Sequence, residues 1–165
     1  MPSKRSALAT LGALVCLLTA MFATTPAQAA VPAGDGPAGR VLVLPPAPSG
    51  ASAVSARSAA ASTPTSSPAV RTSHIRPGAT YTCASGNLCA VVWDPTTSDY
   101  KVFFFYSCNR YSLSGWNGTG TYFDAQTGGV TSYFYGQSGN VLKSFTPDST
   151  NHSYNWTPVW SIRNC

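Results

Sequence analysis

Every aromatic residue except Phe22 lies between Tyr81 and Trp160, and Cys83, Cys89, Cys108 and Cys165 fall within or just beyond that stretch. Residues 31–79 hold neither an aromatic nor a cysteine. Large rings supply much of the area a small domain can bury, and cystines supply its staples. The partition predicts one folded unit over residues 80–165 at the end of a tether.

The first residues explain why disulfides are permitted. Lys4 and Arg5 precede an apolar run from Ala7 to Phe22, and Ala27-Gln28-Ala29 supplies a small-x-small cleavage site. This is the pattern of a secretory signal over residues 1–29. Thr10, Gly12 and Thr19 interrupt the run, which is short for a retained span. Val15 occupies the position before Cys16 where lipid attachment needs a small residue. The expected product is secreted and extracellular, with no membrane association once the signal is removed.

Residues 30–79 are dominated by Ala, Pro, Ser, Thr and Gly, as in Ser62-Thr-Pro-Thr-Ser-Ser-Pro68. Such a composition buries too little apolar surface to offset the entropy of ordering, and predicts a disordered linker, dispensable for folding. Its one apolar patch, Val41-Leu42-Val43-Leu44, reads either as a docking strand or as a sticky patch halted by Pro45. Proteolysis is expected near Arg57, Arg71 and Arg76.

The chain carries a net charge of +5, but from residue 80 onward Lys101, Arg110, Lys143 and Arg163 are balanced one for one by Asp94, Asp99, Asp124 and Asp148. The excess belongs to the leader and linker. Nucleic-acid binding would call for cations clustered on the folded part, so no nucleic-acid partner is expected.

From Tyr81 the pattern is that of strands. Leu88 to Asp94 is an apolar run, and Asp99 to Asn109 alternates Tyr100, Val102, Phe104, Tyr106 and Cys108 with Lys101, Phe103, Phe105, Ser107 and Asn109. Both faces carry rings, which marks a central strand. Thr121 to Asp124, Val130 to Tyr135, Val141 to Phe145 and Trp160 to Cys165 complete a series of short strands between Gly- and Asn-rich turns. No convincing helical period appears, although Arg110 to Trp116 has room for one turn. The expectation is an all-β fold, a small disulfide-stapled sandwich preceded by the linker.

Four cysteines in the exported chain permit three pairings. The short spacing favours Cys83 with Cys89, leaving Cys108 with Cys165. On the chain-entropy model these bridges contribute about 2 and about 4 kcal/mol respectively. A metal reading is disfavoured by the absence of any C-x-x-C pair, and no metal or other cofactor is expected.

Catalytic groups are scarce. Glutamate is absent from the chain, and the domain's one histidine, His152, sits in a polar loop. Asp94 and Asp124 are the pair a glycosidase would need. No G-x-S-x-G elbow is present. A non-enzymatic role is therefore expected. The surplus lies in the rings: Tyr111, Trp116, Tyr154 and Trp156 stand beside turn residues, and are the candidate binding anchors.

Cys83-Ala-Ser-Gly-Asn-Leu-Cys89 followed by Ala-Val-Val-Trp-Asp94, the aromatic strand ending at Cys108, Tyr111-Ser-Leu-Ser-Gly-Trp116 and the closing Trp160-Ser-Ile-Arg-Asn-Cys165 resemble small secreted actinobacterial proteins of the peptidase-inhibitor type with a βγ-crystallin-like domain. The resemblance implies a Greek-key sandwich and inhibition of an extracellular protease, usually a metalloprotease, through a rigid loop. It supplies no reactive-site residue. A cell-wall glycan-binding module is the second class of function, a small crystallin-like toxin the third, and a monomer is expected.

Overall fold

The computed structural model describes residues 39–51 and 61–165. The secretory-signal reading of residues 1–29 lies outside the described residues. Twelve strands make up the regular structure: β1 Arg40–Val43, β2 Thr65–Ser67, β3 Arg71–Ile75, β4 Thr80–Cys83, β5 Leu88–Asp94, β6 Asp99–Phe105, β7 Arg110–Ser114, β8 Thr119–Asp124, β9 Ser132–Tyr135, β10 Val141–Phe145, β11 Asn151–Asn155 and β12 Ser161–Arg163. They form two five-stranded sheets, β10-β9-β12-β7-β2 and β11-β8-β5-β6-β3, and a two-stranded sheet β1-β4. All recorded pairings are antiparallel. The expectation of a small all-β sandwich is met.

Two four-stranded units interlock. In the first, β8 returns to pair with β5, but the intervening β7 leaves for the other sheet. In the second, β12 returns to β9 while β11 crosses to pair with β8. Each sheet thus holds three strands of one unit and the third strand of the other, which makes the two units inseparable.

Two cores follow from this layering. Leu88, Ala90 and Val92 of β5 and Phe103 and Phe105 of β6 face the opposite sheet, where they meet Tyr111, Leu113, Phe134 and Ile162. The alternate residues Cys89, Val91, Tyr100, Val102 and Phe104 face away from that core into a second cluster with Leu42, Leu44 and Tyr81. β5 is consequently covered on both sides. This accounts for rings on both faces of β6, because successive strand residues point in opposite directions.

The second core corrects the linker expectation over part of its length. β1 overlaps the Val41–Leu44 patch at Val41–Val43 and pairs with β4, and Leu42 and Leu44 pack over sheet β11-β8-β5-β6-β3. Burial of each leucine contributes about 2 kcal/mol. β2 pairs with β7 and β3 with β6, so consecutive strands extend one edge of each sheet. Composition missed them because Thr-Ser-Ser and Arg-Thr-Ser-His-Ile bury few apolar atoms. Their contribution is main-chain pairing along otherwise open edges, which leaves no apolar period to read. Arg71 also lays its guanidinium 3.7 Å from the Phe104 ring centroid. The remainder of the linker before residue 39 and over 52–60 lies outside the described residues.

The cystines pair as spacing suggested, Cys83 with Cys89 and Cys108 with Cys165. Arg110 to Trp116 holds no helical turn: its first five residues are strand β7, alternating exposed and buried side chains.

Candidate functional site

Three of the four aromatics expected at a binding surface are core residues. Tyr111, Trp116 and Trp156 are buried, and Tyr154 is half-buried against Phe134 and Trp156. The physical reason is the strand exchange. Trp116 and Trp156 follow the two exchanged strands, where the chain turns between the sheets, and their rings meet edge to face at 5.1 Å. Each indole nitrogen is satisfied by a main-chain carbonyl, Trp116 Nε1 donating to Thr65 O at 2.8 Å and Trp156 Nε1 to Val91 O at 2.8 Å. A Cβ on Gly120 would stand 2.0 Å from that Val91 oxygen, so the close approach under Trp156 requires glycine. For Tyr111, alternation with Arg110 and Ser112 was the signal that it points inward.

The most exposed large hydrophobic side chain among the described residues is Tyr106, at 71%, in the loop of residues 106–109 joining β6 to β7; Trp160 is exposed to a lesser degree. Every residue from Tyr106 to Arg110 is exposed, yet the loop's main chain is held from both flanks. Cys108 is bonded to Cys165. The buried Asn164 accepts from Asn109 N at 3.0 Å through Oδ1 and donates Nδ2 to Phe105 O at 3.3 Å. Asn164 N donates to Asn109 O at 3.4 Å. Tyr111 adds its hydroxyl, which donates to Ser107 O at 2.6 Å, and burial raises that phenol above its ordinary value. Buried side chains thus bind the loop's carbonyls and amide while its own side chains remain in solvent.

A second braced loop lies against the first. Gly86, inside the Cys83–Cys89 ring, has φ +85° and carries the Tyr106 ring so closely that a Cβ there would stand 3.0 Å from its Cε2. Gly86 N donates to Ala125 O at 2.7 Å, which fixes this loop to the segment after β8. On the other flank Arg110 turns over the sheet, its guanidinium 4.1 Å from the Tyr135 centroid and its Nε donating to Ser161 Oγ at 3.0 Å. Sequence reading placed Tyr106 in the alternation of the preceding strand. The polar run Ser107, Cys108, Asn109 was the available sign that the strand had ended.

The carboxylates are separated. Asp94 closes β5, whereas Asp124 pairs with Leu88 at its opposite end. Six residues of strand rise put the two roughly 20 Å apart, too far for the paired carboxyls of a glycosidase, which need about 5 to 9.5 Å. Asp94 accepts from Thr96 N at 2.9 Å and Thr96 Oγ1 at 2.6 Å, and pairs with His74 Nε2 at 3.0 Å and Thr63 Oγ1. Burial would raise its carboxyl, but these hydrogen bonds prevail and hold it below the usual value. Asp124 behaves oppositely: its Oδ2 has no partner, and burial outweighs the bonds from Gln126 and Ser132 and pushes it up. His152 pairs with Asp148 Oδ2 at 2.7 Å and stacks on Tyr122, whose phenol is pushed up to about 12 by burial. Among the described residues no three His, Cys, Asp or Glu side chains converge as metal ligands would.

Comparison with family models, with curated proteins and with solved structures finds no match to this chain.

Proposed function

We propose that the chain is a secreted, non-enzymatic protein that blocks an extracellular peptidase, a metalloprotease in the first instance, by presenting the loop Tyr106–Asn109. The observation that carries this reading is the loop's construction: exposed side chains on a main chain fastened by Cys108–Cys165, Asn164 and Tyr111. A loop already held in its bound shape loses little conformational entropy on docking, so more of the contact energy appears as affinity. After scission, the disulfide and the Asn164 bonds would hold the new termini together, and resealing would compete with release. Both properties distinguish an inhibitor from a substrate.

Two cystines are consistent with an oxidising compartment, and among the described residues no helix is long and apolar enough to cross a membrane. Together with the leader pattern they support export. Two four-stranded units in a two-sheet sandwich are compatible with the two-motif Greek-key sandwich that the crystallin-like resemblance implies. Burial of Trp116 and Trp156 removes them as anchors for the inhibitor and the glycan-module readings alike, so the inhibitor reading rests on the loop Tyr106–Asn109.

The test is titration of active-site-calibrated secreted metallo- and serine peptidases with purified protein. Inhibition predicts a linear fall in activity to an equivalence point at equimolar protein. Undiminished activity at large excess across both classes would remove the reading.

A further inference from the structure

The balance of charge from residue 80 onward hides a segregation by sheet. Sheet β10-β9-β12-β7-β2 contains Arg110, Lys143 and Arg163 and no carboxylate, whereas Asp94, Asp99 and Asp124 all lie on β11-β8-β5-β6-β3. Phe134 and Ile162 point into the core, so their strand neighbours Tyr133, Tyr135 and Arg163 point out. The two tyrosine rings stack at 5.9 Å with 24° between their planes.

Strand register orders this face in two rows. Tyr133, Arg163 and Arg110 stand side by side across β9, β12 and β7, and Tyr135, Ser161 and Ser112 form the next row. One row runs aromatic to cationic; in the other Ser161 is buried, its Oγ accepting from Arg110 Nε, and Ser112 is exposed. Arg110 is held over Tyr135, while Arg163 makes no ion pair, since the two ion pairs among the described residues both involve histidine. The face therefore presents the Tyr133 ring, the exposed Ser112 hydroxyl and the exposed, unpaired guanidinium of Arg163, with no carboxylate on its strands.

We propose that this outer face binds an anionic polysaccharide, with a sugar ring on Tyr133 and a carboxylate paired with Arg163, while Arg110 stays over Tyr135. Sugar rings present apolar faces that stack on aromatics. Guanidinium forks match carboxylates bidentately, and serine hydroxyls can exchange hydrogen bonds with sugar hydroxyls. Single-stranded nucleic acid also stacks on aromatics, but its binding relies on a cationic groove that tracks the backbone. A single exposed arginine beside the half-buried Tyr133 ring, with no such groove, fits a sugar carboxylate better. The site is distinct from peptidase inhibition, because Tyr106 takes no part in it.

The experiment is affinity electrophoresis of the full chain through gels containing polygalacturonate, neutral dextran or single-stranded DNA, at increasing salt. Retardation by polygalacturonate alone, weakening with salt and reduced at least tenfold in affinity by Arg163→Ala, is the expected result. Arg163 is exposed, so that variant should keep the wild-type melting temperature. Tyr133→Ala should also lose retardation, and if it fails to fold, Arg163→Ala decides alone. Absence of retardation by polygalacturonate, equal retardation by DNA, or undiminished retardation of Arg163→Ala would overturn the proposal.

Discussion

His74 Nε2 lies 3.0 Å from Asp94 Oδ2, a contact that joins strand β3, in a segment whose composition reads as disordered, to the end of the most buried strand of the fold. Thr63 reaches the same oxygen, so two residues of that segment end on one buried carboxylate.

Asp94→Asn should lower stability by about 2 kcal/mol at neutral pH, since it replaces a charged acceptor of several hydrogen bonds by a group that brings its own donors. The sign of the pH dependence follows from linkage. Asp94 has a folded value below its unfolded value of about 3.9, so its stabilisation is complete above the unfolded value and lost as pH falls through the folded one. Urea unfolding at stepped pH should show the wild type losing stability under acid conditions, and Asp94→Asn losing less.

Asp124 carries the opposite sign. Its folded value is raised, so the folded form holds a proton that the unfolded chain releases, and stability falls as pH rises between the two values. Asp124→Asn should therefore gain roughly 1 kcal/mol on the wild type at pH 7, by removing an under-partnered buried charge. Melting temperatures at pH 3 and pH 7 would check it, with the advantage confined to the higher pH.

Leu42 faces Tyr81 and the outer surface of the β5–β6 sheet, and Leu42→Ala should cost about 2 to 4 kcal/mol. Deleting everything before Tyr81 should cost more, because it also uncovers β6 and β7, takes His74 and Thr63 from Asp94 and the Arg71 guanidinium from Phe104, and removes Thr65 O, the acceptor for Trp116 Nε1. Denaturant melts of both variants beside the full chain provide the check. An unchanged midpoint for the deletion would show that β1–β3 contribute nothing to the fold.

How much of this was legible depended on which atoms carry each contact. Apolar alternation marked β5 and β6, and rings on both faces marked β6 as a central strand, which lies between β5 and β3. The covering leucines lie in the apolar patch Val41–Leu44, for which a docking strand is one of two readings, and no local pattern decides between them. β2 and β3 were invisible for a different reason: they pair through main-chain groups that every residue possesses. Trp116 and Trp156 misled because Gly and Asn beside them are turn residues, and a turn that carries the chain between sheets has the same composition as one that projects into solvent. Tyr106 escaped because its register continues that of Phe104, although the strand ends at Phe105.

Trp116→Ala should consequently behave as a core truncation. It removes the ring that meets Phe103 at 4.5 Å and Trp156 at 5.1 Å, together with the bond to Thr65, at a cost of about 3 to 5 kcal/mol. Near-UV circular dichroism and urea unfolding would reveal the loss, and native stability in the variant would contradict its placement between the sheets.

The most direct measurement compares Tyr106→Ala with the wild type in inhibition constant against a sensitive peptidase and in melting temperature. Tyr106 is 71% exposed, so the melting temperature should barely change, while the inhibition constant should rise at least thirtyfold, about 2 kcal/mol. Equal inhibition by both proteins would contradict the assignment of the loop Tyr106–Asn109 as the inhibitory element.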